Sequence, residues 1–205
     1  LRWLDGSEWR LQQAMADGPL LLAFMETDCP TCRLTLPYLK RLAGALGADS
    51  HRVVVVSQDG AEKTRELVEA YGVTFPVLLD ADLDVSRSYD PPAVPALFLL
   101  GEAGQIEFCE VGFSKGDLNS VAASMLSSLD LRATTVAELD DGAPLTKPGC
   151  SSRHLEAALA ATLAEADGAE QPREPSPEPI DLLPESAPRA TRFVLAEDED
   201  PYEYC

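Results

Sequence analysis

The segment "TDCPTCRLTLPYL" sets Cys29 and Cys32 two residues apart. Thiols at this spacing serve a metal site, a structural crosslink or a reversible dithiol–disulfide couple. A zinc site would want a second Cys-x-x-Cys or a histidine pair at ligand spacing. The chain has neither, since His51 and His154 stand apart and the other cysteines, Cys109, Cys150 and Cys205, are scattered. No metal is therefore expected. A disulfide scaffold would be short and cysteine-dense, whereas five cysteines here are spread over 205 residues. The bland reading that survives is an inert structural pair, and the surroundings of the two thiols weigh against it.

Those surroundings are a strand and a helix. "LLLAFME" (residues 20–26) is a continuous apolar run of strand length, as expected for a strand buried on both faces. A helical pattern through about Leu46 follows the cysteines. Cys29 would then stand at a helix N-terminus, where unpaired N–H groups and the helix dipole favour a thiolate. Such a thiolate is a nucleophile toward disulfides. Cys32, one turn on, is placed to resolve the mixed disulfide.

The remaining pattern supplies a sheet to carry this turn. "DGSEWRLQQAMADGP" reads as a helix capped by Ser7, with Trp9, Leu11, Ala14 and Met15 as its apolar positions. "RVVVVSQD" is a second buried strand, "AEKTRELVEAYG" a helix, "FPVLLDAD" a short strand and "DVSRSY" a helical turn or two. "VPALFLLGEAGQIEFCEVG" reads as a hairpin, and the stripe Leu118, Val121, Ala122, Met125 and Leu129 marks a closing helix. The order α-β-α-β-α-β-α-β-β-α predicts an α/β sandwich: a parallel core, an antiparallel hairpin at the edge and helices on both faces.

With these residues in view, the first 130 residues resemble the thioredoxin-like family. Pro37, five residues after Cys32, is similar to the family's kink in the active-site helix. "AVPALFLLGEAGQI" resembles its cis-proline strand, with Val94-Pro95 facing the cysteines and Gly104 in the turn. "EAYGVTFPVLLDADLDVSRSY" looks like the insertion of the TlpA-type thiol-disulfide oxidoreductases. The resemblance implies a thioredoxin-like three-layer sandwich. Cys29 and Cys32 would be the catalytic couple in it, and Val94 and Pro95 the substrate-binding edge. No cofactor is implied beyond the redox-active Cys29–Cys32 disulfide. Partners would be protein or small-molecule thiols and disulfides, with an electron donor such as another thiol-disulfide protein.

Two departures matter. Asp28 replaces the aromatic residue usual before the first cysteine, and Ala23 stands where some members carry a buried acid. Glu26 and Asp28 crowd carboxylates near Cys29, which opposes thiolate formation and points to a reductase. Glu26 is a candidate proton shuttle, its bland alternative a solvated loop carboxylate.

Beyond residue 130 the resemblance ends. Residues 131–167 read as a helical extension, opened by "KPGCSSRH" with Ser151 or Ser152 as cap. Cys150 there is a candidate accessory thiol lying outside the front domain, while Cys109 reads as a small filler in an edge strand and His154 as a surface residue. Residues 168–205 hold seven of the chain's 16 prolines, with ten acidic and three basic residues. That composition predicts a disordered linker, possessed of too little apolar surface to offset ordering entropy. "RFVLAEDEDPYEYC" reads as the start of a further domain.

The whole chain carries 16 basic and 35 acidic residues, a net charge of −19. That excess repels phosphate backbones and anionic lipid, so neither nucleic acid nor a membrane surface is an expected partner. No apolar run reaches the length of a membrane span. No charged-then-apolar leader opens the chain, which points to a cytoplasmic setting, although the chain begins at Leu1 rather than Met. The second functional class left open is a redox-inactive or redox-sensing thioredoxin-fold interaction module.

Overall fold

A computed structural model describes residues 1–16 and 18–168. The expectations for the proline-rich stretch beyond Gly168, and for Cys205, lie outside the described residues. A six-stranded mixed sheet forms the centre. Its strands are β1 (Arg2–Trp3), β2 (Leu20–Met25), β3 (Val53–Ser57), β4 (Val77–Leu79), β6 (Ala96–Leu100) and β7 (Ile106–Val111), in the order β1-β4-β3-β2-β6-β7. A two-residue strand, β5 (Ala93–Val94), precedes β6. β2, β3 and β4 run parallel, as their helical crossovers demand. β6 lies antiparallel to β2, and β7 to β6. The unbroken apolar runs of β2, β3 and β6 are buried at every residue, so both faces of the sheet are covered.

The helices are α1 (Leu11–Ala14), α2 (Pro30–Leu46), α3 (Ala61–Tyr71), α4 (Asp84–Tyr89), α5 (Lys115–Ser128) and α6 (Arg153–Gly168). α2 starts on Pro30, whose fixed φ suits the first helical turn, and contains Pro37. It buries Leu36, Leu39, Leu42 and Leu46 and packs on β3 and on α5. α3 ends at Gly72, which takes the left-handed conformation at φ 55°. Phe24 of β2 is fully buried in an aromatic cluster, 5.1 Å from the Tyr89 ring and 5.5 Å edge-on from Phe98.

The first helix is much shorter than its apolar spacing predicts. Ser7 does not cap it; its N–H and hydroxyl both donate to Asp5. The Trp9 N–H donates to the Leu1 carbonyl, and Arg2 bridges to Glu8. A local hairpin-like turn has taken the backbone groups that a longer helix would have used.

Residues 131–152 are not helical. They run as a strap back over the α/β body. Two short strands fasten it: β9 (Thr146–Lys147) on β8 (Phe113–Ser114), and β10 (Cys150–Ser151) on β5. Asn119 of α5 holds its first part, accepting from the N–H groups of Val136 and Ala137 and donating to the Ala137 carbonyl. Asp141 is the second anchor. It accepts from the Lys115 ammonium at 2.6 Å, the Tyr38 hydroxyl at 2.8 Å and Arg41 at 3.2 Å. The Lys115 side chain is 1% exposed, so its charge is compensated by Asp141 rather than by water. The Lys115 hydrogen bond, foremost among these contacts, holds the Asp141 carboxyl well below the usual range.

Candidate active site

The parallel strands β2 and β3 end on the same side of the sheet, and the segments that follow them build the site. After β2, residues 26–29 turn into α2, with Cys29 as its N-cap in extended conformation. The Cys32 N–H points at the Cys29 sulfur, 3.4 Å away. That donor and the helix N-terminus are the features that lower a thiol's pKa. Cys32 is fully buried, and its sulfur accepts from the Glu26 N–H at 3.5 Å. Burial pushes its thiol up to about 12, with the charges of Glu26 and Asp59 acting in the same direction.

Val94 and Pro95 lie against this turn. The Val94–Pro95 peptide bond is cis, and the Val94 carbonyl oxygen is 3.4 Å from the Cys29 sulfur. Cys29, Cys32, Val94 and Pro95 are thus brought together. Cys29, the expected nucleophile, is buried rather than exposed, with 2% of its surface accessible. Its sulfur is disulfide-bonded to Cys150, 121 residues away, with the Cα atoms 6.1 Å apart. Cys32 is a free thiol in this state, so the pair in place is not Cys29–Cys32. The reason is the strap. β10 pairs Cys150 with Val94 in antiparallel register and lays its sulfur across the helix N-terminus.

Glu26 is 8% exposed, not a solvated loop carboxylate. It accepts from the Arg153 N–H at 2.8 Å and lies 3.6 Å from the Arg153 guanidinium. Burial raises its pKa, and Arg153 partly offsets that rise. Asp28, by contrast, is exposed and paired with Lys63 at 3.0 Å.

Two residues of the site, Gln58 and Asp59, have no part in the motifs read from the sequence. Gln58 and Asp59, just after β3, reach the strap from the sheet's end. The Gln58 amide nitrogen donates to Ser86 and Ser152, and its oxygen accepts from the Arg153 N–H. Asp59 accepts from the Thr27 N–H and pairs with Arg153 at 3.1 Å. Ser152 spends its hydroxyl on Gln58 and His154 rather than on a helix cap. His154 is not a surface residue: it is 4% exposed, its imidazole between the Ser152 hydroxyl at 2.8 Å and Asp90 at 2.9 Å. Cys109 sits on the edge strand β7, opposite Phe98. Polar residues immediately after a buried parallel strand, as in "SQD", are the signal that could have found Gln58 and Asp59, because ligands of open α/β sheets bind at that end.

A dithiol turn at a helix N-terminus, beside an extended edge and on a mixed sheet, defines the class: a thioredoxin-like protein. The chain belongs to the AhpC/TSA family, whose profile matches residues 1–109. It is 32% identical over 96 residues to sporulation thiol-disulfide oxidoreductase A of Bacillus subtilis, covering 45% of this chain and 58% of that protein. It is 29% identical over 104 residues to thiol-disulfide oxidoreductase ResA of Halalkalibacterium halodurans, covering 50% and 58%. The chain thus spans somewhat more than half the length of these relatives. Among solved structures, a secreted Mycobacterium tuberculosis disulfide oxidoreductase homologous to Escherichia coli DsbE superposes with a TM-score of 0.52 at 23% identity, over 60% of this chain and 92% of that one. The thioredoxin domain of a Bacteroides vulgatus thiol-disulfide oxidoreductase gives 0.53 at 25% identity, over 60% and 90%. The strap, from residue 131 to Cys150 and Arg153, lies beyond the family match.

No group of three or more metal-ligating side chains occurs among the described residues. Nor is any of their helices long and apolar enough to cross a membrane.

Proposed function

We propose that the chain is a thiol–disulfide oxidoreductase working through a Cys29–Cys32 couple in the reducing direction. The observation that carries this is the α2 N-terminus: Cys29 as N-cap, the Cys32 N–H on its sulfur, and Cys32 buried one turn further in. Cys29 is the attacking thiol. Cys32 resolves the mixed disulfide, and Glu26 is the acceptor for the proton that Cys32 must lose. Val94 offers its backbone to an extended substrate. Protein thiols and disulfides are the substrate class, and another thiol-disulfide protein is the donor.

The direction follows from charge. A strong oxidant is one whose reduced thiolate is stabilised. Here buried Glu26 and Asp59 put negative charge beside the couple. Equilibration of the Cys29–Cys32 pair with glutathione should place its potential well below the roughly −120 mV of a strong oxidant. A value near that figure would overturn the direction. Cys29→Ser should abolish reduction of insulin disulfides, whereas a Cys32→Ser/Cys150→Ser double variant, which has no second thiol to displace the bound partner, should accumulate mixed disulfides with substrates on Cys29. Turnover retained by Cys29→Ser would sink the assignment.

A further inference from the structure

The segment joined to Cys29 has the form of a bound substrate. Residues 150–151 lie extended and antiparallel to residues 93–94, with Cys150 opposite Val94. The Thr31 hydroxyl donates to the Pro148 carbonyl at 2.8 Å, fixing the backbone two residues before Cys150. Gly149 fits because it has no side chain: a Cβ there would stand 2.7 Å from the Val94 carbonyl oxygen and 3.0 Å from the Ala93 Cβ. On the far side of Cys150, the Arg153 N–H is shared by Glu26 and Gln58, and its guanidinium meets Asp59.

We propose that residues 148–153 are a tethered substrate of the site, and that the groove along Val94 takes a peptide extended at its cysteine, with glycine immediately before that cysteine and arginine three residues after it, where the backbone turns away as it does into α6. The reading rests on the Cys29–Cys32 couple proposed above. In this state the chain is its own mixed disulfide. Release follows from one exchange. The Cys32 thiol gives up its proton to a base and its sulfur attacks Cys29. The Cys29–Cys32 bond forms and the Cys29–Cys150 bond breaks. The electron pair leaves on the Cys150 sulfur, which takes up a proton. No net oxidation occurs, so no further oxidant is needed. Attack by the Cys150 thiolate on Cys29 reverses the step and closes the groove. Cys150 is thereby a third redox thiol, and a foreign substrate must displace it.

The test uses the full chain and non-reducing peptide mapping after equilibration in graded glutathione buffers. Cys32→Ser should retain the Cys29–Cys150 linkage, and the unsubstituted chain should exchange part of it for Cys29–Cys32. Gly149→Val should lower the Cys29–Cys150 fraction at fixed potential. It should also raise the rate at which iodoacetamide alkylates Cys29 in the reduced protein. Thr31→Val, which removes only one hydrogen bond, should do the same by roughly fivefold. A synthetic Lys-Pro-Gly-Cys-Ser-Ser-Arg peptide should form a mixed disulfide with a Cys32→Ser/Cys150→Ser double variant faster than the same peptide with Val for Gly. Absence of the Cys29–Cys150 peptide in Cys32→Ser, or equal alkylation rates in all variants, would overturn the tethered substrate. Cys150→Ser reports on the couple separately. If it forms Cys29–Cys32 normally while the strap variants change nothing, the inference alone fails. If Cys150→Ser never forms Cys29–Cys32, the proposed couple fails and the release step with it.

Discussion

Cys29 and Cys32 differ in environment although only two residues separate them. Cys29 has the helix N-terminus and a directed N–H, while Cys32 is enclosed, its thiol pushed up to about 12 by burial. A thiol with so high a pKa is almost wholly protonated at neutral pH, so its attack on Cys29 should accelerate as pH rises. Single-turnover release of Cys150 should therefore increase steadily from pH 6 to 9, an interval of about three decades in thiolate fraction. A rate independent of pH would show that proton loss from Cys32 does not limit the step. Glu26 adds a second expectation. Its charge is one cause of the Cys32 rise, so Glu26→Gln should bring the Cys32 pKa down, as read from thiolate absorbance in the reduced protein. If Glu26 also accepts the proton, the same variant should slow release despite the more acidic thiol. That opposition of signs separates an electrostatic role from a proton-accepting one. The glutamate was legible as a candidate from its distance in sequence to Cys29. Its burial under Arg153 was not, because Arg153 arrives from 127 residues away.

The elements that matter most are the turn after β2 and the strap. β2 was legible from its apolar run, and α2 from the helical pattern that runs to about Leu46. Phe24 shows how firmly this turn is backed. Phe24→Ala empties the aromatic cluster against Tyr89 and Phe98, and a fully buried Phe→Ala change costs about 3–5 kcal/mol. Denaturant unfolding should show that loss, and a change under about 1 kcal/mol would contradict the packing described. Within the extension at residues 131–167 only the Ala/Leu stretch after Ser152 is helical, as α6. Residues 131–152 have no periodicity to reveal where they lie. They are held by groups on other elements: Asn119 and Lys115 of α5, Tyr38 and Arg41 of α2. Gly112 belongs to the same device. It has φ 92°, and a Cβ would stand 2.8 Å from the Lys147 carbonyl oxygen. Gly112→Val therefore combines a backbone cost of order 1–3 kcal/mol with a clash against the strap. It should lower the melting temperature and expose the Cys29 region to proteolysis or alkylation; an unchanged protein would argue against strap docking at β8.

For the molecule as a whole, the strap closes over the turn after β2, and its anchor has a defined acid response. The Asp141 carboxyl is held below its ordinary value of 3.8 in the folded state. A depressed folded pKa contributes stability that is fully present above the unfolded value and is lost as pH falls through the folded one. The Lys115–Asp141–Tyr38 anchor should thus stand unchanged from neutral pH down to about pH 4 and weaken only below it. Glu26 behaves oppositely. Its raised pKa means that its ionised form is the costly one, so lowering pH through that raised value relieves a burden while loosening the pairing with Arg153. Hydrogen exchange of the Val136 and Ala137 amides, which Asn119 holds beside the anchor, should stay protected through pH 5. Early loss of their protection would show that Asp141 does not set the strap's stability. Net charge of −19 acts in addition, and salt should weaken the exposed Lys63–Asp28 pair far more than the buried Lys115 contact.

By itself the sequence determined the sheet and the turn. Buried parallel strands announce themselves as unbroken apolar runs, and a Cys-x-x-Cys between a strand and a helix reaches a helix N-terminus through local geometry alone. Val94-Pro95 was legible only through resemblance, because its position beside Cys29 spans 65 residues. The occupant of the groove was decided entirely by tertiary structure. Cys150 pairs with Val94 across 56 residues and bonds to Cys29 across 121, while Gln58 and Asp59 after β3 and Asp90 after α4 hold Ser152, Arg153 and His154 just beyond it. Contacts at such separations leave no period or spacing in the chain. They exist only once the sheet has set the ends of β2 and β3 beside the start of β6 and the strap has been drawn across them.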